Sequence, residues 1–232
     1  MPRENYQRRL DALRADVVAM SDLVRERYDA AVEAAATGDE TLARAVIEGD
    51  EAVNERYLAL EDECVELHAL QQPVASDLRL VTASFKIITD LERVGDLATN
   101  LAAYGTDDAG LHPAIAFRRL AGAAGEMVAD AMAAYEAGDT DACRRIDARD
   151  DDLDERCRRA SEAVVRNLLE ADRARSDENR TATNNADDLA TALDEVSSAL
   201  LAVRDIERVG DHAVNIAART VYMVDNDDEL IY

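Results

Sequence analysis

Glu92 and Asp96 stand four residues apart in one stretch of the chain, and Glu207 and Asp211 stand four apart in another. On a helix that spacing stacks two side chains on one face, one turn above the other, so each pair offers oxygen ligands to a common point. Two more pairs share the spacing: Asp50 with Asn54, and Asp150 with Asp154. Oxygen donors alone suit hard or borderline cations such as Mg, Mn, Ca, Fe or Zn. The absence of His and Cys from the set argues against a zinc finger or a soft-metal centre. The competing use of the same acids is pairing with Arg93 and Arg208, which lie inside the two stretches, or plain exposure to solvent.

The elements that must position these acids are duplicated. The run Asp90-Leu91-Glu92-Arg93-Val94-Gly95-Asp96 returns as Asp205-Ile206-Glu207-Arg208-Val209-Gly210-Asp211, and Asn100 returns as Asn215. Upstream, Val74, Leu78, Val81, Phe85 and Ile88 recur at the same offset of 115 as Leu189, Leu193, Val196, Leu200 and Val203. A fixed offset over that length makes the chain a tandem repeat. At about 100° per residue these apolar residues form one helical stripe within roughly 40° of Glu92, and Asp96 lies in it too. The stripe begins apolar and ends in carboxylates, with Asn100 one turn further along its edge. Acids on a face that should be apolar are costly unless a cation, an arginine or a proton neutralises them.

The earlier part of each half repeats at an offset of 100: Met20, Tyr28 and Val32 correspond to Leu120, Val128 and Met132, and Gly38-Asp39 to Gly138-Asp139. Asp50 interrupts the apolar seam Val46, Val53, Tyr57, Leu60, Cys64, Leu67. Asp150 interrupts Ile146, Leu153, Cys157, Ala160, Val164 in the same way. The change of offset from 100 to 115 puts the extra residues between the fifth and sixth helices, in the polar stretch from Asp172 to Asn185.

The spacing predicts a first helix from Glu4 to Ala36, a turn at Gly38 capped by Asp39, a second helix from Glu40 to Ala69, and a third entered at Pro73 and ending near Tyr104. Turn formers cluster only from Gly105 to Pro113 before the pattern restarts. The expected units are therefore residues 1–108 and 109–232, each a three-helix bundle, giving six long antiparallel helices in an all-α protein. Composition agrees, with 48% apolar residues, 4% aromatics, no Trp, 9 Gly and 3 Pro in 232 residues.

Fifty acids against twenty-six bases give a net charge of −24, and Lys86 is the single lysine. Such a surface repels nucleic acid and anionic membrane. The combination resembles a cytoplasmic protein of a salt-accumulating halophile, where screening over ~3 Å at 1 M salt makes the charge tolerable. Cys64, Cys143 and Cys157 form no Cys-x-x-Cys pair and read as core residues. With neither a signal peptide nor a membrane span in the sequence, the expected location is the cytoplasm. His212 points about 100° away from Asp211 and reads as a surface residue.

The doubled Glu-Arg-Val-Gly-Asp run, the stretch Gln71-Gln72-Pro73-Val74-Ala75-Ser76-Asp77-Leu78-Arg79 and the twofold three-helix repeat together resemble the PhoU family of phosphate-uptake regulators. The resemblance implies paired bundles carrying multinuclear iron or zinc clusters, with metal ligands at Glu92 and Asp96, at Glu207 and Asp211, and at Asp150 and Asp154. Asp50 joins the first set, but Asn54 stands where the family has an aspartate, so the first site should bind cations more weakly than the second. The resemblance further implies a homodimeric, non-enzymatic regulator that restrains phosphate import by contacting the cytoplasmic subunits of a phosphate ABC transporter and a histidine kinase. Two other readings stand beside it. One is a carboxylate-bridged metalloenzyme, weakened because no His has a Glu three residues before it. The other is a metal-free helical scaffold.

Overall fold

Gly38 and Gly138 adopt φ of +68° and +67°, the left-handed conformation that lets a helix turn back at once. After each, an aspartate closes the turn. Asp39 N–H donates to the Ala34 carbonyl at 3.1 Å and Asp139 N–H to that of Ala134 at 3.0 Å. The Asp39 carboxylate accepts from the amides of Thr41 and Leu42, and that of Asp139 from the amide of Ala142. The Gly-Asp dipeptides thus set the first two helices of each half antiparallel.

The structure is a computed structural model that describes residues 2–70, 75–105, 111–178 and 185–231, with side chains for 3–69, 75–105, 111–170 and 190–231. The described residues form seven helices and no strand: α1 (Pro2–Thr37), α2 (Glu40–Glu48), α3 (Glu51–Leu70), α4 (Ala75–Tyr104), α5 (Phe117–Ala137), α6 (Thr140–Glu178) and α7 (Asn185–Asp225). The architecture is the expected all-α one, with one difference: the second helix breaks at Gly49–Asp50, whereas its counterpart α6 runs through unbroken. The extra residues before the second acidic run mostly lengthen α6 and α7; residues 179–184 lie outside the described residues, as do Gln71 to Val74. The expected boundary between the halves, at 108/109, also lies outside them, within 106–110.

The halves share one core. α4 packs against α1, α3 and α7, while α7 packs against α4, α5 and α6, and α1 also meets α5. Flanked on several sides, α4 and α7 need more apolar surface than one stripe. Val81, Ile88, Val196 and Val203 are buried as expected, but Ile87, Leu91, Val94 and Leu97 are buried too. Leu78 and Leu193, expected in the stripe, are exposed at 42% and 47%. Cys64, Cys143 and Cys157 are free and buried. Among the described residues no helix is long and apolar enough to cross a membrane.

Candidate functional site

The glycine of the repeated run marks where a neighbouring helix comes closest. A Cβ on Gly210 would lie 2.6 Å from Leu153 Cδ2 and 2.9 Å from Asp150 Oδ1. Gly210 therefore makes room for the Asp150 carboxylate against α7. Around it stand Asp154 on α6 and Glu207 and Asp211 on α7, so the second half gathers its four predicted acids in one neighbourhood. Asp211 is exposed at the rim, while the other three are half-buried.

Among the described residues no arginine, lysine or histidine pairs with this group. Oδ1 of Asp150 and Oδ1 of Asp154 are buried without any hydrogen-bond partner. Burial, then the charges of Asp154 and Asp211, push the Asp150 carboxyl up to about 7. Burial and neighbouring acids also raise Asp154 and Glu207. Arg208, the base within the same run, turns instead to Asp205, 3.8 Å away. An unpartnered buried carboxylate oxygen is among the most expensive groups a protein can hold.

The first half places Asp50, Asn54, Glu92 and Asp96 at equivalent positions, but the environment differs. Asp50 Oδ2 accepts from Asn54 Nδ2 at 3.1 Å, and Oδ1 accepts from Thr99 Oγ1 at 3.4 Å and from Arg27 Nη2 at 3.5 Å. Arg93 lies 3.5 Å from Glu92 and 3.1 Å from Asp96. Burial and Asp96 raise the Glu92 carboxyl while Arg93 opposes them. Here arginine pairing, one of the alternatives open in the sequence, is what the acids do.

Two predicted roles change. Asn100 does not continue the row of acids; its amide donates to Asp205 Oδ2 across the α4–α7 contact at 3.4 Å, beside the Tyr104 hydroxyl at 2.9 Å. The mirror pair is Asn215 donating to Asp90 Oδ1 at 3.2 Å. His212 is not a free surface residue either, since its Nδ1 lies 2.9 Å from Asp90 Oδ1 and its side chain is 15% exposed. Each copy of the run is thus bracketed by an Asp and an Asn that clasp the other copy. The signal was present in the repeated spacing of Asp90 to Asn100 and Asp205 to Asn215, but only the α4–α7 packing shows that the partner is the other helix.

The donor chemistry of the second cluster fits an oxygen-liganded cation, on the evidence of its orphaned buried oxygens. Asp150, Asp154, Glu207 and Asp211 are the residues that would hold one, and the ion would supply the positive charge they lack. Among the described residues, however, no three acid, His or Cys side chains are already gathered around one point as a bound ion would hold them.

Comparison with known proteins covers nearly the whole chain. The sequence profile described as the PhoU domain matches twice, at residues 17–104 and 117–220. The phosphate-specific transport system accessory protein PhoU homolog of Pseudomonas putida is 31% identical over 229 residues, 97% of this chain and 82% of that protein. The phosphate-specific transport system accessory protein PhoU of Escherichia coli K12 is 30% identical over 226 residues, 96% of this chain and 86% of that protein. In structure, PhoU from Pseudomonas aeruginosa superposes with a TM-score of 0.83 at 30% identity, over 96% of this chain and all of the other. The phosphate transport system regulatory protein PhoU from Streptococcus pneumoniae, at 23% identity and a TM-score of 0.79 over 96% of this chain and 98% of that one, shares the fold. With both repeats matched and relatives aligned over nearly the whole of this chain, the chain belongs to the PhoU family.

Proposed function

We propose that this chain is the accessory regulator of a phosphate-specific transport system, restraining phosphate import when phosphate is plentiful. The observation that carries the reading is the match of both repeats to the PhoU domain, together with the likeness of nearly the whole chain to accessory proteins of that name. The protein acts by contact rather than catalysis, on the cytoplasmic subunits of the transporter and on a histidine kinase where one is present, as a homodimer of chains with units 1–108 and 109–232. Deleting the gene is expected to leave phosphate uptake high in phosphate-rich medium. Uptake that stays normally repressed in the deletion strain contradicts the assignment.

The second acidic cluster supports a metal role within that function. Unpaired carboxylates on two packed helices are held together best by a multivalent cation, iron or zinc in the family pattern, with Mn, Mg or Ca suited by the same donors. A bound ion would fix α6 against α7 and so set the surface that the partner meets.

The charge of −24 with a single lysine suits a salt-rich cytoplasm, where self-repulsion is screened. Thermal unfolding followed from about 0.1 to 3 M KCl is expected to show a rising midpoint as the Debye length falls below ~3 Å. A midpoint indifferent to salt contradicts the halophile reading.

A further inference from the structure

The repeat register exposes an exchange of arginines between the halves. At the offset of 100, Arg27 on α1 corresponds to Met127 on α5, and Gly49 corresponds to Arg149. In the first half the arginine points inward. Arg27, with a side chain only 11% exposed, donates from Nη2 to the Val46 carbonyl at 2.6 Å and reaches Asp50 Oδ1 at 3.5 Å. The guanidinium lies over Gly49, where a Cβ would come within 2.5 Å of Nη1. In the second half the arginine sits on the other helix and faces outward. Arg149 pairs with Asp130 and lies near Glu126, both on α5, and is 39% exposed, while Met127 is buried and uncharged.

We propose that the Arg27 guanidinium is the built-in cation of the first acidic cluster, closing that half to metal and leaving the second cluster as the one open to an external ion. The helix break is part of the same device. Ending α2 at Glu48 frees the Val46 carbonyl from the helical ladder for Arg27, and Gly49 leaves the space in which the guanidinium lies. A fixed positive charge beside Asp50 offsets the carboxylate as an ion would, and it repels any ion that approaches. α6, with Arg149 in place of Gly49, has neither the gap nor the inward charge, and Asp150 Oδ1 is left without a partner.

This differs from the explanation that the ligand set alone suggests. If Asn54 were what weakens the first site, Asn54→Asp would be enough to restore it. With Arg27 in place, the added carboxylate gains an arginine neighbour and no metal.

The inference rests on the metal reading of the second cluster for its contrast, and the test separates the two. Metal-stripped full-length protein at constant high salt is titrated with Mn(II), followed by electron paramagnetic resonance, alongside Asp154→Asn, Asp50→Asn, Asn54→Asp, Arg27→Lys, Arg27→Met and Arg27→Met/Asn54→Asp. Circular dichroism checks that each is folded. Wild type is expected to show one class of sites, weakened at least tenfold by Asp154→Asn and unchanged by Asp50→Asn, Asn54→Asp and Arg27→Lys. Arg27→Met/Asn54→Asp is expected to add a second class. A wild-type phase that disappears in Asp50→Asn, or an added class in Asn54→Asp alone, overturns the role of Arg27 and leaves the second site standing. A folded Arg27→Met/Asn54→Asp protein with no added class overturns it as well. Binding by the double variant with none by wild type upholds the role of Arg27 and defeats the metal reading of the second cluster.

Discussion

The two acidic clusters occupy equivalent places in two copies of one fold, yet they balance their charge in opposite ways. Asp50 is surrounded by donors from Arg27, Asn54 and Thr99, and Arg93 covers Glu92 and Asp96. Asp150 and Asp154 each keep a buried oxygen without a partner, and Arg208 is drawn to Asp205. The difference traces to single positions. Leu97 stands where the second copy has His212, so Asp90 receives the imidazole from α7 while Asp205 relies on Tyr104, Arg204 and Arg208. The acids of the first cluster are paired with bases and amides, and among the described residues those of the second have no basic partner. The acids recur in both copies, and differences in their surroundings set how each copy's charge is met.

The two clusters differ in packing at their glycines. Gly210→Ala drives a Cβ against Leu153 and the Asp150 carboxylate, at 2.6 and 2.9 Å, and is expected to destabilise the protein by about 1–3 kcal/mol. Gly95→Ala meets the Val53 side chain, with Cγ1 nearest at 3.3 Å. Part of that contact is offset by the roughly 0.5–1 kcal/mol by which Ala is preferred over Gly inside a helix. Its effect should be smaller and close to neutral. Denaturant unfolding of the two variants checks the ranking, and equal losses would mean that the second cluster is no more crowded than the first.

Much of the fold was legible because local rules dominate in long helices. Gly38-Asp39 and Gly138-Asp139 carry both the stop and the start signals, and the helix ends there fall within one residue of the expected positions. The break at Gly49 was not legible, because a lone glycine in a periodic segment does not reveal that an arginine from another helix will take the freed carbonyl. For the site, spacing identified which acids share a neighbourhood. It did not reveal their charge balance, which depends on Arg27 from α1 and on the turn of Arg93 and Arg208 toward different acids. The roles of Asn100 and His212 were missed for the same reason, since both are set by the α4–α7 contact.

If the first cluster is neutralised from within and the second is not, metal-free protein must respond oppositely to the loss of each aspartate. Thermal unfolding of Asp50→Asn and Asp150→Asn is compared with wild type at pH 7.5 or above and one salt concentration, after chelation. Asp50→Asn weakens the half-buried pair with Arg27 and is expected to lower stability by about 1–2 kcal/mol. Asp150→Asn removes a carboxylate whose charge is disfavoured by burial and by neighbouring acids, and is expected to raise stability by about 1 kcal/mol. Midpoints that move in opposite directions are the predicted result; midpoints that fall together, or a rise for Asp50→Asn, would contradict the account.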